Sequence, residues 1–338
     1  MVEPQHDVFQ GNGRDRGLAM IARRELLTGL CGVALATGAW GAGAYRATMA
    51  GAEARIARSS TVIRTSAGQL EFAVAGHGPP VMMIHGTGGG FDQGLLFGHG
   101  LLEAGFQIVT PSRFGYLRSS FPEDASPARQ ADVLMQMLDH LGLDQIAVAG
   151  GSAGALTAAE FALRHPERCT HLVLIVPAAN LTGRDPVAFT ALQRAAVERI
   201  LNSDAWFWAF ATLAPDMLLR TLLATDPALL DRASPEERRR ADLIREGLMP
   251  ISRKTDGLRN DGFWAGAPTL SAFESIAVPT LILSCEDDLF GTADTARLLA
   301  GRIRGARLVV YPDGGHIWLG HDADLMRDIS AFIREPRA

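Results

Sequence analysis

Cysteine is scarce: Cys31, Cys169 and Cys285 are the only three in 338 residues. So sparse and odd a set makes neither a disulfide framework nor a zinc ribbon. The sequence contains no H-E-x-x-H, no C-x-x-C and no G-x-x-x-x-G-K-[ST]. It therefore shows no motif for a metal or a nucleotide phosphate, and no cofactor is expected. Basic charge is not in excess, with 32 Lys and Arg against 37 Asp and Glu and a net charge of −5. That balance offers no footprint for nucleic acid. Internal repeats and low-complexity segments are also lacking. At 47% hydrophobic and 20% charged residues, the composition excludes a mostly disordered chain. A chain of this length can bury a large core without cross-links.

One long stretch lacks charge altogether. Residues 26–45 carry none, follow the pair Arg23-Arg24, and contain five glycines and five alanines. Twenty residues suffice to span a bilayer as a helix, but the small residues make the run only weakly apolar. Paired arginines ahead of such a run resemble a twin-arginine export signal. Ala42-Gly43-Ala44 and Ala50-Gly51-Ala52 offer small-x-small cleavage points. A cleaved signal, a retained single-span anchor and a buried helix are the three readings. The first two place the protein in the cell envelope, the second with membrane association through residues 26–45. In each, residues 1–50 are expected to lie outside the catalytic fold.

Beyond residue 60, short apolar runs alternate with helical patterns. The strands are expected at 61–64, 70–75, 81–85, 107–110, 146–149, 172–176, 280–284 and 307–311. The inner runs are almost continuously apolar, as parallel strands buried on both faces require. Ser126-Pro127 reads as an N-cap and first-turn proline, and Gly142 as the closing glycine of a helix over 127–141. A second helix is expected over 152–164. Between about 181 and 270 the strands cease and helical patterns take over, which reads as an insertion between two strands.

Gly150-Gly151-Ser152-Ala153-Gly154 matches G-x-S-x-G, directly after an apolar strand and at the start of a helix. In that context the serine is forced onto a sharp turn that lifts its hydroxyl out of the sheet. Serine is a weak nucleophile without a base, and the base needs an orienting acid. His316, in Asp313-Gly314-Gly315-His316 after the last strand, is the candidate base; His321 is its nearest rival, and His140, His165 and His171 are less well placed. The acid is expected in Cys285-Glu286-Asp287-Asp288, where Asp288 is favoured, Asp287 is the reserve and Glu286 is read as solvated. Acyl transfer also needs donors for an oxyanion. The backbone N–H of Ala153 would be one. The other would come from His85-Gly86-Thr87-Gly88-Gly89-Gly90, with Thr87 preferred and Gly88 the alternative. His85 itself is expected to order that loop.

The chain order Ser152, Asp288, His316, with the His-Gly loop, resembles the α/β-hydrolase superfamily over roughly residues 61–335. The resemblance implies a mostly parallel eight-stranded sheet flanked by helices, with a helical cap inserted after the sixth strand. The divisions would be 1–50, an export signal or anchor; 51–180 and 271–338, the hydrolase core; and 181–270, the cap. Pro111-Ser112-Arg113-Phe114-Gly115-Tyr116-Leu117-Arg118-Ser119 lies where the superfamily often has D-x-x-G-x-G-x-S, with Ser112 for the aspartate and Leu117 for the second glycine. Cys285 stands where glycine is usual. In these features the chain is similar to a bacterial group of mostly uncharacterised hydrolases that often carry an N-terminal membrane segment. The implied activity is hydrolysis of a small-molecule carboxylic ester or related acyl compound through an acyl-enzyme, with no metal or cofactor. Carbon–carbon bond hydrolysis of ring-cleavage products, cofactor-free perhydrolase chemistry and a non-catalytic receptor are the alternatives. In the cap, Trp206, Phe207, Trp208, Phe210, Met217 and Trp264 could wall an apolar pocket or form the cap core. Arg253, Lys254 and Arg259 read as a solvated face, or as groups facing an anionic substrate, and the helix bearing Glu236 to Arg240 as solvent-exposed.

Overall fold

The computed structural model describes residues 39–57, 60–181 and 191–336. Most of the uncharged N-terminal run, with Cys31, and residues 182–190 at the start of the expected cap lie outside these. The described chain builds one eight-stranded sheet: β1 (Thr61–Thr65), β2 (Gly68–Ala75), β3 (Pro80–Ile84), β4 (Gln107–Pro111), β5 (Ile146–Gly151), β6 (Cys169–Ile175), β7 (Thr280–Cys285) and β8 (Arg307–Tyr311). Their spatial order is β1-β2-β4-β3-β5-β6-β7-β8. β1 pairs with β2, and β2 with β4, antiparallel; every other pairing is parallel.

Burial follows the apolar runs. All of β5 and β7 is buried, and edge strand β1 is not. Successive side chains on a strand face opposite sides. Met82, Ile84, Val148, Leu172 and Leu174 thus join one core, with α4 (Pro127–Leu141) and α5 (Gly154–Arg164). Val81, Met83, Ala147, Val173 and Ile175 join the other, with α2 (Phe91–Phe97), α3 (His99–Glu103) and the C-terminal helix Asp322–Ile333. Each fully buried Val, Leu or Ile contributes about 1.5–3 kcal/mol. α4 starts and stops as its sequence demands. The Ser126 hydroxyl accepts from the Arg129 N–H at 3.1 Å, Pro127 occupies the first turn, and Gly142 closes it at φ 67°.

Between β6 and β7 the described residues form only helices: α6 (Ala191–Leu201), α7 (Asp204–Leu213), α8 (Pro215–Thr221), α9 (Ala228–Arg232), α10 (Pro235–Glu246) and α11 (Thr255–Gly266), apart from short single turns. α12 (Thr292–Arg302) and α13 (Asp322–Ile333) complete the chain. α11 has no helical pattern in its sequence, because it carries three glycines, an asparagine and two aspartates. Packing imposes it: a Cβ at Gly257 would lie 2.2 Å from the Tyr116 ring, so only glycine admits this contact.

The N-terminal helix α1 (Ala39–Ile56) is where the structure departs from expectation. The boundary placed at residue 50 falls inside it, and its last turns are packed on the cap. Ala52 joins the cap core with Phe207, Leu218, Leu248 and Ile251. Tyr45 packs edge-on against Trp208 at 5.7 Å, and the Trp208 Nε1–H donates to the Thr48 hydroxyl at 3.2 Å. Arg55 pairs with Asp92 of α2 at 2.8 Å and also donates to the Met249 carbonyl of the cap. Glycine and alanine give α1 no apolar stripe, so periodicity carried no sign of this docking. Among the described residues, no helix is long and apolar enough to cross a membrane.

Arg55 therefore fastens core and cap at one point. Arg55→Met should leave the nearly buried Asp92 short of a counter-ion and cost about 1–2 kcal/mol. Urea unfolding should show a lower midpoint at unchanged slope; an unchanged midpoint would deny α1 this role.

Candidate active site

β5 runs two residues beyond its expected end, to Gly151, and α5 begins at Gly154 rather than at Ser152. Ser152 sits on the turn between them at φ 52°. Side chains other than glycine rarely adopt that conformation, and holding it costs on the order of 1–3 kcal/mol. The sheet and helix enforce it. The Ser152 N–H donates to Ile175 of β6 at 2.9 Å, and its carbonyl accepts from Ala155 at 3.0 Å. The flanking glycines are sterically obligatory: a Cβ on Gly150 would lie 2.5 Å from the Gly154 carbonyl oxygen, and one on Gly154 would lie 2.5 Å from that of His85.

Three expected residues meet over this turn. The Ser152 Oγ lies 2.8 Å from His316 Nε2, and His316 Nδ1 lies 2.8 Å from Asp288 Oδ2. Both His316 and Asp288 are buried. The Asp288 carboxylate is held by the Phe290 N–H at 2.8 Å and by the hydroxyl of Thr292, which the sequence reading missed. The Phe290 ring meets the imidazole edge-on at 5.0 Å. Asp287 does not reach the imidazole; it accepts the Gly315 N–H at 2.8 Å and so braces the histidine loop. Glu286 is exposed and pairs with Arg297. The other histidines are engaged elsewhere: His321 with Asp313 at 2.8 Å, His165 with Asp132 at 3.0 Å, and His140 and His171 against phenylalanine rings. Burial, with Asp287 and Asp288 nearby, pushes the Cys285 thiol well above its ordinary pKa, which leaves it unreactive.

The His85–Gly90 loop closes the site's other side. A Cβ at Gly86 would stand 3.2 Å from the Ser152 Cβ. Among the described residues, the backbone N–H groups of Thr87 and Ala153 donate to no protein acceptor. The alternative donor, Gly88, gives its N–H to the Tyr116 hydroxyl at 3.2 Å. His85 orders the loop: Nδ1 donates to the Gly86 carbonyl at 2.7 Å, and Nε2 accepts the Arg113 N–H at 3.0 Å. Burial, then the Arg113 charge, hold its pKa well below 6.5, so the ring is neutral and these partners select its tautomer. Ser112, in place of the aspartate, donates at 3.0 Å to the buried Glu71 carboxylate. Leu117, in place of the second glycine, takes φ 52°.

The cap reaches into both loops, and two expectations about it, for Lys254 and Arg240, need correction. Lys254 is neither solvated nor aimed at an anionic ligand. It is fully buried, with Nζ donating to the Gly88 carbonyl at 2.9 Å and to that of Gly247. Burial lowers its pKa to about 8, with Asp92 opposing the shift. Arg240 is buried too, although its helix was read as exposed; it donates to the Ile317 carbonyl at 2.9 Å and lies over the Trp318 ring. Thr225, unremarked in the sequence, is fully buried and accepts the His316 N–H at 3.0 Å. Trp208 faces α1, and Phe207 belongs to the cap core. Of the six aromatic and methionine candidates, Trp264 does line a narrow cleft beside Ala153, with Phe114, Leu156, Gln130 and Asn260. Arg253 and Arg259 are exposed, as expected.

The model of the alpha/beta hydrolase fold family matches residues 79–320. The chain belongs to this family. It is 30% identical over 285 residues to the uncharacterized hydrolase YcgS of Bacillus subtilis, covering 79% of this chain and 95% of that one. It is 28% identical over 279 residues to a 2-hydroxymuconate semialdehyde hydrolase of a Pseudomonas species, covering 78% and 90%. Among solved structures, an alpha/beta hydrolase fold protein from Nakamurella multipartita superposes with a TM-score of 0.63 at 24% identity, covering 82% and 99%.

Two measurements probe this geometry. Asp288→Asn should lower hydrolysis by about 10⁴-fold by disordering the imidazole tautomer, and Asp287→Asn should cost far less; the reverse ranking would reassign the acid. His85 remains neutral in the fold but takes a proton near 6.5 when unfolded, so stability is lost as pH falls through that value. Between about pH 7 and pH 5, His85→Asn should show a shallower fall in unfolding free energy than the parent. Equal slopes would contradict a buried neutral ring.

Proposed function

We propose that the protein is a serine hydrolase of a carboxylic ester or related small acyl compound. The observation that carries this reading is the unbroken chain from Ser152 through His316 to Asp288, with 2.8 Å at each contact, beside two backbone N–H groups that have no protein acceptor among the described residues. Ser152 Oγ attacks the carbonyl carbon as His316 Nε2 takes its proton. The oxyanion forms against the N–H groups of Thr87 and Ala153. Asp288 keeps the imidazole proton on Nδ1 and stabilises the imidazolium. His316 then protonates the leaving group, and water, deprotonated by the same nitrogen, releases the acid from the acyl-enzyme.

A second reading, cleavage of a carbon–carbon bond by the same three residues, is favoured by the similarity to a 2-hydroxymuconate semialdehyde hydrolase, whose named substrate contains no ester. Parallel assays on short-chain esters and on ring-cleavage products separate the two. The paired arginines and the uncharged run at 26–45 support a place in the cell envelope, which fractionation of cells expressing the full chain tests.

A fluorophosphonate should label the full chain once, on Ser152, by intact mass and peptide mapping. Ser152→Ala should retain the fold, lose the label and lose essentially all hydrolysis. More than a few per cent residual activity in that variant would exclude the mechanism.

A further inference from the structure

Gly88 lies one residue beyond the proposed oxyanion donor Thr87, and both its backbone polar groups are held by side chains. Its N–H donates to the Tyr116 hydroxyl at 3.2 Å, and its carbonyl accepts from Lys254 Nζ at 2.9 Å. Glycine is needed here, since φ is 78° and a Cβ would lie 2.6 Å from Leu248. Both holders answer to the cap. Lys254 belongs to it and caps the Gly247 carbonyl as well. The Tyr116 hydroxyl donates at 2.5 Å to Asp261 of α11, and Asp261 is also gripped by Arg113 through its two terminal guanidinium nitrogens, at 2.5 and 2.6 Å. Arg113 in turn donates to the His85 carbonyl at 3.0 Å. Lys254, Arg113 and Asp261 are all buried.

A buried ammonium is costly unless its surroundings require it. Packing alone would be served as well by methionine, and the Gly247 carbonyl is a helix-end group that water or a neighbouring turn could satisfy. The Gly88 carbonyl, by contrast, belongs to a loop that must hold one conformation beside the serine. Gly86, Gly88, Gly89 and Gly90 give that loop wide backbone freedom. Fixing the peptides on either side of Gly88 restricts the torsions that orient the Thr87 N–H.

We propose that Lys254 and Tyr116 are positioning residues for the oxyanion hole, through which the seated cap sets the direction of the Thr87 N–H. The inference rests on the reading of Ser152 as nucleophile and Thr87 as oxyanion donor. Neither residue touches the substrate; both act through Gly88. The cap thereby bears on the reactivity of Ser152.

The test uses a fluorophosphonate, because Ser152 Oγ displaces fluoride from phosphorus, with its proton passing to His316, and the phosphoryl oxygen occupies the oxyanion position. Labelling rates are measured against probe concentration for the full chain, Lys254→Met and Tyr116→Phe, at a temperature where circular dichroism shows each folded. Both variants should lower the maximal labelling rate about ten- to a hundredfold, with the half-saturating probe concentration changed by less than about twofold, since the probe's chain meets the same walls. A merely structural role would lower the melting temperature and leave the maximal rate intact. If Lys254→Met does not fold, Tyr116→Phe decides, because it removes one hydroxyl and no charge. Folded variants that label at the parental rate would overturn the inference while leaving Ser152 as nucleophile. An unlabelled parent chain would overturn the serine reading, and the inference with it.

Discussion

The site depends on a serine held at positive φ where β5 becomes α5. Nothing in serine's own chemistry favours that conformation; the main-chain bond from Ser152 to Ile175 and the space denied to side chains at Gly150 and Gly154 impose it. Once the serine is fixed there, its hydroxyl stands clear of the sheet, and the following N–H, that of Ala153, has no protein acceptor among the described residues. The remaining parts are brought to it by loops at the C-terminal ends of neighbouring parallel strands. β3 delivers the His85–Gly90 loop, β7 delivers Asp288 and β8 delivers His316. Open parallel sheets gather their chemistry at that edge because all the strand-to-helix loops open there.

Loops rich in glycine are poor at holding a geometry unaided. Here part of the restraint comes from His85 and Asp287 in the core and part from the helical cap. Thr225 accepts the backbone N–H of His316, and Arg240 grips the carbonyl of the next residue. Lys254, and Tyr116 braced by Asp261, grip Gly88. Each contact is a buried polar bond, which costs free energy when broken without replacement. Lifting the cap would therefore unfasten the His316 and Gly88 loops together. α1 extends the same logic, since Arg55 joins the cap at Met249 to the core at Asp92, and Asp92 also bears electrostatically on Lys254.

Strand–helix alternation and local motifs make the sheet, the serine turn and the meeting of Ser152, His316 and Asp288 legible in the sequence. These are local signals: an apolar run, a glycine pair, a carboxylate cluster after a strand. Asp288 and Asp287 could be ranked but not assigned distinct jobs, because their separation into imidazole partner and loop brace depends on the direction of one turn. The cap's contribution left no such trace. Lys254 and Gly88 are 166 residues apart, and a lysine in a polar stretch reads as solvated until the chain closes over it. Arg240 reads as exposed for the same reason, lying within a run of charge in which Glu236, Arg238 and Arg239 are exposed. Helix α11 is invisible because its three glycines work against helix propensity, although one of them, Gly257, serves close packing against Tyr116. The part of α1 up to residue 50 is expected outside the catalytic fold, because small residues carry no amphipathic signature even when they allow close docking.

If Ser152 reacts as the nucleophile, its oxyanion should lie against the backbone N–H groups of Thr87 and Ala153. A crystal structure of the phosphonylated protein shows whether it does. Phosphorus should be bonded to Ser152 Oγ, with the phosphoryl oxygen about 3 Å from the backbone nitrogens of Thr87 and Ala153. A phosphoryl oxygen turned to solvent, or to Gly88 freed from Tyr116, would contradict it.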